Sequence, residues 1–324
     1  MSPVETRRDI RRVAVFGHGV VGSRIVKHLT AHPARTVVQI DSRREQIATT
    51  PFLDDVDVAV LAQPGPHHRD TVALLDRGIG VISVGDEVSD VGAIIGESER
   101  ARRRGIALVA GAGMSPGLVG LIARHLASQI AVVDEIHVAI HGTAGPACAR
   151  QHHRALAGKA GAYHEGTFVS FRAGTGRELA WFPEPVGAYD CYRAEVPAPF
   201  VLHHSFPEAN RITARISANR RDRLTSRLPM LTPPHREGGV GALRVEVRGA
   251  EESGARVTLI AGIAEMVGTA AAATAIGFLE ASLSGTLPAG LNLAGDDLLD
   301  TTSLLRTIER FGVRLQEFNG VPSA

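Results

Sequence analysis

The stretch from Val13 to Asp41 constrains the fold more than any other. It reads VAVF, GHGVVG, SRIVKHLTAH and TVVQID, which is an apolar strand, a glycine turn, an amphipathic helix and a second strand ending in an acid. That is a complete βαβ unit. Gly17, Gly19 and Gly22 fit G-x-G-x-x-G. In that pattern the first glycine permits the tight turn, the second admits a pyrophosphate, and the third lets helix and strand approach closely. Asp41 follows at the distance where a carboxylate takes ribose hydroxyls. The pattern predicts a dinucleotide site; an ordinary glycine-rich turn would need neither the flanking elements nor the acid.

The alternation continues. VDVAVLAQPGPHHRDTVALLDRG reads as strand, turn and helix, GVISVGDE as strand and turn, VSDVGAIIGESERARRRG as one helix with a basic last turn, and IALVAGAG as another buried strand. Such spacing predicts an α/β protein with a Rossmann-type doubly wound parallel sheet, binding its ligand beyond the carboxyl ends of the strands. From about Asp134 the texture changes. EIHVAI, TFVSFRA, ELAWF, RITARIS, LRVEVRG and ARVTLIAG alternate apolar with polar or β-branched residues, and regular helices between them are not expected. This predicts an inserted α+β domain with a mostly antiparallel sheet, one face on helices and one turned to ligand or a partner. The expected division is 1–133 for the Rossmann domain, 134–262 for a substrate and dimerisation domain, and 263–324 for a terminal helix and tail packing back on the first. Residues 217–241 form an Arg-, Pro- and Gly-rich stretch that is mostly loop, and long loops in compact domains are often functional.

The 324 residues leave room for two domains, and 35 basic against 34 acidic residues leave no global field favouring nucleic acid or an anionic membrane. Arginine clusters within 7–12, 102–104 and 220–223 read as solvated faces, because no aromatic interleaving accompanies them. Two cysteines, Cys148 and Cys191, are too few for a disulfide scaffold. The polar opening MSPVETRRDIRR carries no hydrophobic signal segment, so a cytoplasmic setting is expected. The most membrane-like run, 263–283, contains Glu265 and Glu280 and reads as a packed helix.

The turn GHGVVG, the strand ending AQPGPHH and the later GAGMSPGL together resemble the saccharopine dehydrogenase-like family of NAD(P)-dependent oxidoreductases. The resemblance covers the first 130 residues or so and, more loosely, the late strand and GTAAAA helix. It implies a homodimer with hydride transfer at an amine or imine carbon, or at a hydroxyl or carbonyl, of a small carboxylate-bearing substrate. It maps the pyrophosphate to Gly17, Gly19, Val20, Val21 and Gly22, the ribose to Asp41 with Ser42 and Arg43 beside it, and the nicotinamide to Ala62, Gln63 and Pro64 with His67 adjacent. Two positions depart from the family. Ser83 and Ala112 stand nearest to where it carries an Asp and a Cys; Asp86 is placed to replace the former and nothing replaces the latter, which points away from saccharopine as substrate. Two rivals stand beside this reading. One is a glucose-fructose oxidoreductase-like sugar or polyol dehydrogenase, suggested by AQPGPHH and opposed by GDE where that family has Glu-Lys-Pro. The other is a non-catalytic dinucleotide-binding scaffold or sensor.

Asp41 favours NAD, because a carboxylate there repels a 2′-phosphate, whereas Arg43 leaves NADP open. Asp86, at a strand end, is a candidate for proton transfer. The stretch TAGPACARQHHRALAGKAGAYHEG supplies His153 and Lys159 as further acid/base candidates and His152 and Arg154 as substrate ligands. Gly113, Met114, Pro116 and Gly117 open a helix whose free amides suit a substrate carboxylate. Cys148 reads either as a thioester-forming nucleophile or as a small buried hydrophobe. No metal is expected, since the adjacent histidine pairs diverge and His28 with His32 lacks a third ligand.

Overall fold

A computed structural model describes residues 11–32, 35–41, 47, 51–230 and 232–318; Ser42 and Arg43 lie outside them. β1 (Arg11–Phe16) ends in four buried residues and turns at Gly17 into α1 (Val20–Thr30). Ile25 and Leu29, four apart, turn one apolar face of α1 to the core. The chain returns through β2 (Arg35–Ile40), parallel to β1 with Val13 opposite Val37. β3 (Val58–Leu61), α2 (His68–Asp76), β4 (Gly80–Ser83), α3 (Val88–Ile95), α4 (Ser98–Arg104) and β5 (Ala107–Val109) continue the alternation. β3 and β4 are buried at every residue, as parallel strands covered on both faces must be. The single helix expected after β4 is two. Glu97 adopts φ −85° and ψ 5° between α3 and α4, and Gly105 ends α4 in the left-handed region.

A π-type turn over Met114–Leu118, with Ser115 extended, leads into α5 (Val119–Ala127), and the chain crosses to a second sheet. There follow β6 (Val132–His141), α6 (Pro146–Ala155), β7 (Lys159–His164), β8 (Thr167–Arg172), β9 (Glu178–Phe182), β10 (Gly187–Arg193), α7 (Ala198–Ser205), β11 (Arg211–Ser217), α8 (Arg220–Thr225), β12 (Val240–Ala250) and β13 (Arg256–Met266). Helices therefore persist in this region, contrary to the expectation from its texture, with Pro146 and Pro199 in the opening turns of α6 and α7. Within the run 263–283 the first four residues belong to β13, where Ile263 pairs with Leu243 and Met266 with Val240. The rest is α9 (Val267–Leu283), whose small residues are almost all buried. Among the described residues no helix is long and apolar enough to cross a membrane.

After α9, β14 (Gly290–Asn292) pairs with β5, α10 (Thr301–Arg310) packs on α9, and β15 (Gln316–Glu317) pairs with β13. The first sheet is parallel, in the order β14-β5-β4-β3-β1-β2. The second runs β15-β13-β12-β6-β11-β10-β9, with β7 on β11 and β8 on β7. It is antiparallel except where β6 meets β11. One apolar cluster joins them: Val13, Ile25 and Val60 share it with Ile136, Val245 and Ile263, and Ala270 and Phe278 of α9 complete it. Arg35 clamps Glu280 of α9 through two bonds of 2.6 Å, and His28 adds a third contact at 3.2 Å.

Along β6, Ile136, Val138 and Ile140 face the helices, as the alternation predicts. The opposite face carries ion pairs: along β12, Glu246 accepts from Arg244 and Arg248, each at 2.6 Å, and Arg248 also reaches across to Glu135 of β6. The ligand-sized space lies at the ends of β6 and β11 and not over this face.

Candidate active site

A cavity of about 530 Å³ opens at the carboxyl ends of the parallel strands. Residues 17–21, 41, 62–65, 84–87 and 113–115 of the first domain line one side, and α6, residues 195–197, Ile216, Arg236 and the start of α9 the other. The glycine turn owes its shape to contacts that only glycine allows. Gly17 sits at φ +114°, and a Cβ there would come within 2.8 Å of the backbone of Ala62 and Gln63. A Cβ on Gly22 would lie 2.3 Å from the Gly17 carbonyl oxygen. Gly22 is thus a packing residue and does not line the cavity. Gly19 differs: a Cβ there would meet nothing within 4 Å, so it borders open space. It caps α1 without any side-chain bond, and no acid stands in the first turn, leaving the helix amides directed at the cavity.

At the far end, Gln63 donates to Asp70 at 3.0 Å, while its Oε1 is buried without a partner. Ser115 Oγ, also on the cavity wall, is another buried unpartnered atom. His67 does not reach this space. Fully buried, it places Nδ1 2.8 Å from Ser83 Oγ and Nε2 2.8 Å from the Gln63 carbonyl. Burial holds its pKa below the ordinary value. The neutral ring pins the Gln63 turn to the end of β4, and Asp90 accepts from the amides of His67 and His68 at 2.8–2.9 Å.

Asp86 faces α6 across the cavity. Burial raises its carboxyl to about 6, a hydrogen bond from Gln151 opposing the shift and the neighbouring Glu87 adding to it. Cys148 is pushed up to about 12 by burial first and the Asp86 charge second, which favours the thiol at neutral pH and the reading as a small buried hydrophobe. His152 is also driven down by burial; its Nε2 lies 3.3 Å from the Ser217 carbonyl. That contact assigns the proton to Nε2 and leaves Nδ1 as acceptor. Arg150 and Arg154, one helical turn apart on α6, both line the cavity, as does Glu195.

Two acid/base candidates do not reach this space. His153 is buried on the other side of α6, its Nε2 3.3 Å from Thr225 Oγ1, because adjacent helical residues diverge by about 100°. Lys159 is exposed at the start of β7, opposite Arg172. Neither can move a proton in this cavity. Pro116 and Gly117 are buried against Gly111 and Ala112, which leaves Gly113, Met114 and Ser115 as that segment's cavity wall. Sequence reasoning missed Ser115, Arg150, Gln151 and Arg236. Ser115 lies inside GAGMSPGL, and Arg150 and Gln151 lie beside His152 in the stretch rich in polar groups, so these three had a local signal, whereas Arg236 is brought to the cavity by the fold of its loop.

No family model matches the chain, and no curated relative matches it by sequence. Among solved structures, saccharopine dehydrogenase (L-Glu forming) from Saccharomyces cerevisiae aligns over 95% of this chain and 100% of its own, at TM-score 0.71 and 12% identity. C. glutamicum DAP dehydrogenase, in complex with DAP, aligns over 92% of this chain and 96% of its own, at TM-score 0.52 and 14% identity. The chain thus has the fold of saccharopine dehydrogenase: a Rossmann domain interrupted by a largely antiparallel α+β domain.

Proposed function

We propose that the chain is an NAD(P)-dependent oxidoreductase that acts at the amine or imine carbon of a small carboxylate-bearing substrate, with Asp86 as the acid/base. One observation carries this reading. A single cavity joins the open glycine turn at Gly19 to a carboxylate whose pKa stands near 6, and a dehydrogenase needs both within one space.

The residues present fit a dinucleotide. Gly19 and the first turn of α1 offer amides and room for a pyrophosphate. Asp41 lines the same cavity at the end of β2, where a carboxylate favours the free ribose of NAD over NADP. The unpartnered Gln63 Oε1 suits an amide N–H at the opposite end. A bound nicotinamide supplies or accepts the hydride. The chain's own groups do the rest. Arg150 and Arg154 hold a substrate carboxylate in bidentate fashion, His152 accepts a hydrogen bond through Nδ1, and Gln151 holds Asp86 in place. Asp86, ionised above about pH 6, takes the proton released on oxidation and returns it in reduction. Gly113 and Met114 form the neighbouring wall.

Fluorescence titration with NADH and NADPH tests the reading, with Gly19→Trp as the blocked control. Tight binding of NADH that the variant abolishes supports it, followed by a screen of amines against keto acids. Binding of neither nucleotide removes its foundation. A homodimer remains the expected assembly, and light scattering on the purified protein checks it.

A further inference from the structure

The arginine-, proline- and glycine-rich loop is the one sequence motif that the reading above leaves without a role. Its last part, residues 232–241, is pressed against the segment leading into α6. Gly238 sits at φ +73°, and a Cβ there would lie 2.1 Å from the carbonyl oxygens of both Thr143 and Ala144. Gly239 donates to the Thr143 carbonyl at 3.3 Å. Only glycine permits so close a seam. The effect is to hold Arg236 on the cavity wall.

That wall faces the glycine turn. The point where a Cβ on Gly145 would sit is 3.0 Å from Val20 Cγ2 and 3.3 Å from the Arg236 carbonyl oxygen. The amino ends of α1 and α6 and the backbone of Arg236 therefore meet at one place. Both helices are capped by glycine, without a side-chain bond or an acid in the first turn. Two helix ends of the same polarity meet there, so an anion placed among them is stabilised, and the Arg236 side chain starts from the same place on the cavity wall. Among the described residues no carboxylate pairs with Arg236. Its neighbour Glu237 instead reaches Arg24 at 3.9 Å, and Arg24 also donates to the Val20 carbonyl at 3.0 Å. The tether thus spans from the loop to the first turn of α1 and leaves Arg236 for the cavity. The unpartnered Gln63 Oε1, at the far end, and Ser115 Oγ belong to the same cavity and mark it as a space that takes a polar ligand, without bearing on this end of it.

We propose that residues 232–241 clasp the pyrophosphate of the dinucleotide, with Arg236 and the α6 amides of Ala147 and Cys148 closing on it from the side opposite Gly19. The proposal rests on the dinucleotide reading and assigns the second domain a direct share in cofactor binding. The substrate arginines, Arg150 and Arg154, lie further along α6 and are separate from this role.

The test is NADH titration of the full chain, wild type against Arg236→Ala and Arg236→Lys, at two salt concentrations. Arg236 is exposed, so both variants are expected to melt with the wild type in the absence of nucleotide. Loss of one charge-assisted contact weakens NADH binding roughly 10- to 100-fold in Arg236→Ala. Arg236→Lys falls between, because an ammonium keeps the charge and loses the fork. Arg236→Ala also shows the shallower salt dependence. NADH slows tryptic cleavage after Arg236 in the wild type, and Glu237→Gln speeds NADH release by loosening the tether. If the wild type binds NADH and Arg236→Ala binds it within about twofold, the clasp is overturned while the dinucleotide reading stands. If the wild type binds neither nucleotide, the underlying reading fails and the clasp with it.

Discussion

Asp86 carries a proton to a higher pH than an aspartate in water because ionising it means charging a group that protein atoms enclose. Moving its pKa from 3.8 to about 6 corresponds to about 3 kcal/mol between the two protonation states. The sign follows from linkage. Below pH 3.8 the group is protonated folded and unfolded alike; as the pH rises through about 6 the folded carboxyl must ionise in place, and that stability is lost. Asp86→Asn, which mimics the protonated form, is therefore more stable than wild type at pH 7.5 by up to about 3 kcal/mol, and urea melts across pH 4–8 measure this. The same variant loses about 100- to 10,000-fold in kcat/KM. In the wild type, kcat/KM for oxidation rises through pH about 6. A stable variant with unchanged turnover would dismiss Asp86 from the chemistry. Cys148 gives the complementary case. Its thiol, held near 12, resists iodoacetamide at pH 7.5 in the native protein, and Cys148→Ala keeps its activity at a cost of about 1 kcal/mol in stability.

At the scale of the element, the second and third glycines of GHGVVG have separable uses. Gly22→Ala drives a methyl to 2.3 Å from the Gly17 carbonyl and costs roughly 1–3 kcal/mol, so its melting temperature falls along with nucleotide affinity. Gly19→Ala meets nothing within 4 Å and keeps an allowed backbone at φ −81°. It melts with the wild type while NADH binding weakens, and thermal melts paired with titrations tell the two apart. These roles were legible in the sequence because a βαβ unit is local: strand, turn and helix are contiguous, and each glycine's neighbours lie within a few dozen residues. The inserted domain was legible only where strands alternate, as in RITARIS. β7 (KAGAYH) and β10 (GAYDCYR) escaped because their small and polar residues carry no period of two and are set by pairing with β8 and β9. Lys159 misses the cavity for the same reason: its direction is set by the pairing of β7 with β8, where it stands opposite Arg172, and no local pattern specifies that partner.

For the molecule as a whole, α9 is the joint between the sheets. Burial alone would raise the Glu280 carboxyl, but Arg35 and His28 outweigh it and hold it below the usual carboxylate range. Its contribution is present above the unfolded carboxylate value and disappears as the pH falls through the folded one. Glu280→Gln removes the bidentate pair at neutral pH, costing roughly 1–3 kcal/mol, and the difference from wild type narrows in urea melts at acid pH. Single-transition melting, with near- and far-ultraviolet signals falling together, is expected of both proteins. The reason lies in the apolar cluster that runs unbroken from Val13 through α9 to Val245, a continuity that no window of sequence reports because it is made by residues far apart in the chain. Its consequence concerns traffic. Proteins that swallow their ligands by swinging two lobes about a hinge keep the cleft between the lobes wettable, whereas here the same swing would pour water onto Ile25, Ile263 and Phe278. Opening the cavity by such a swing would expose this cluster, so ligand passage is expected at the rim of the cavity and not through a parting of the two sheets.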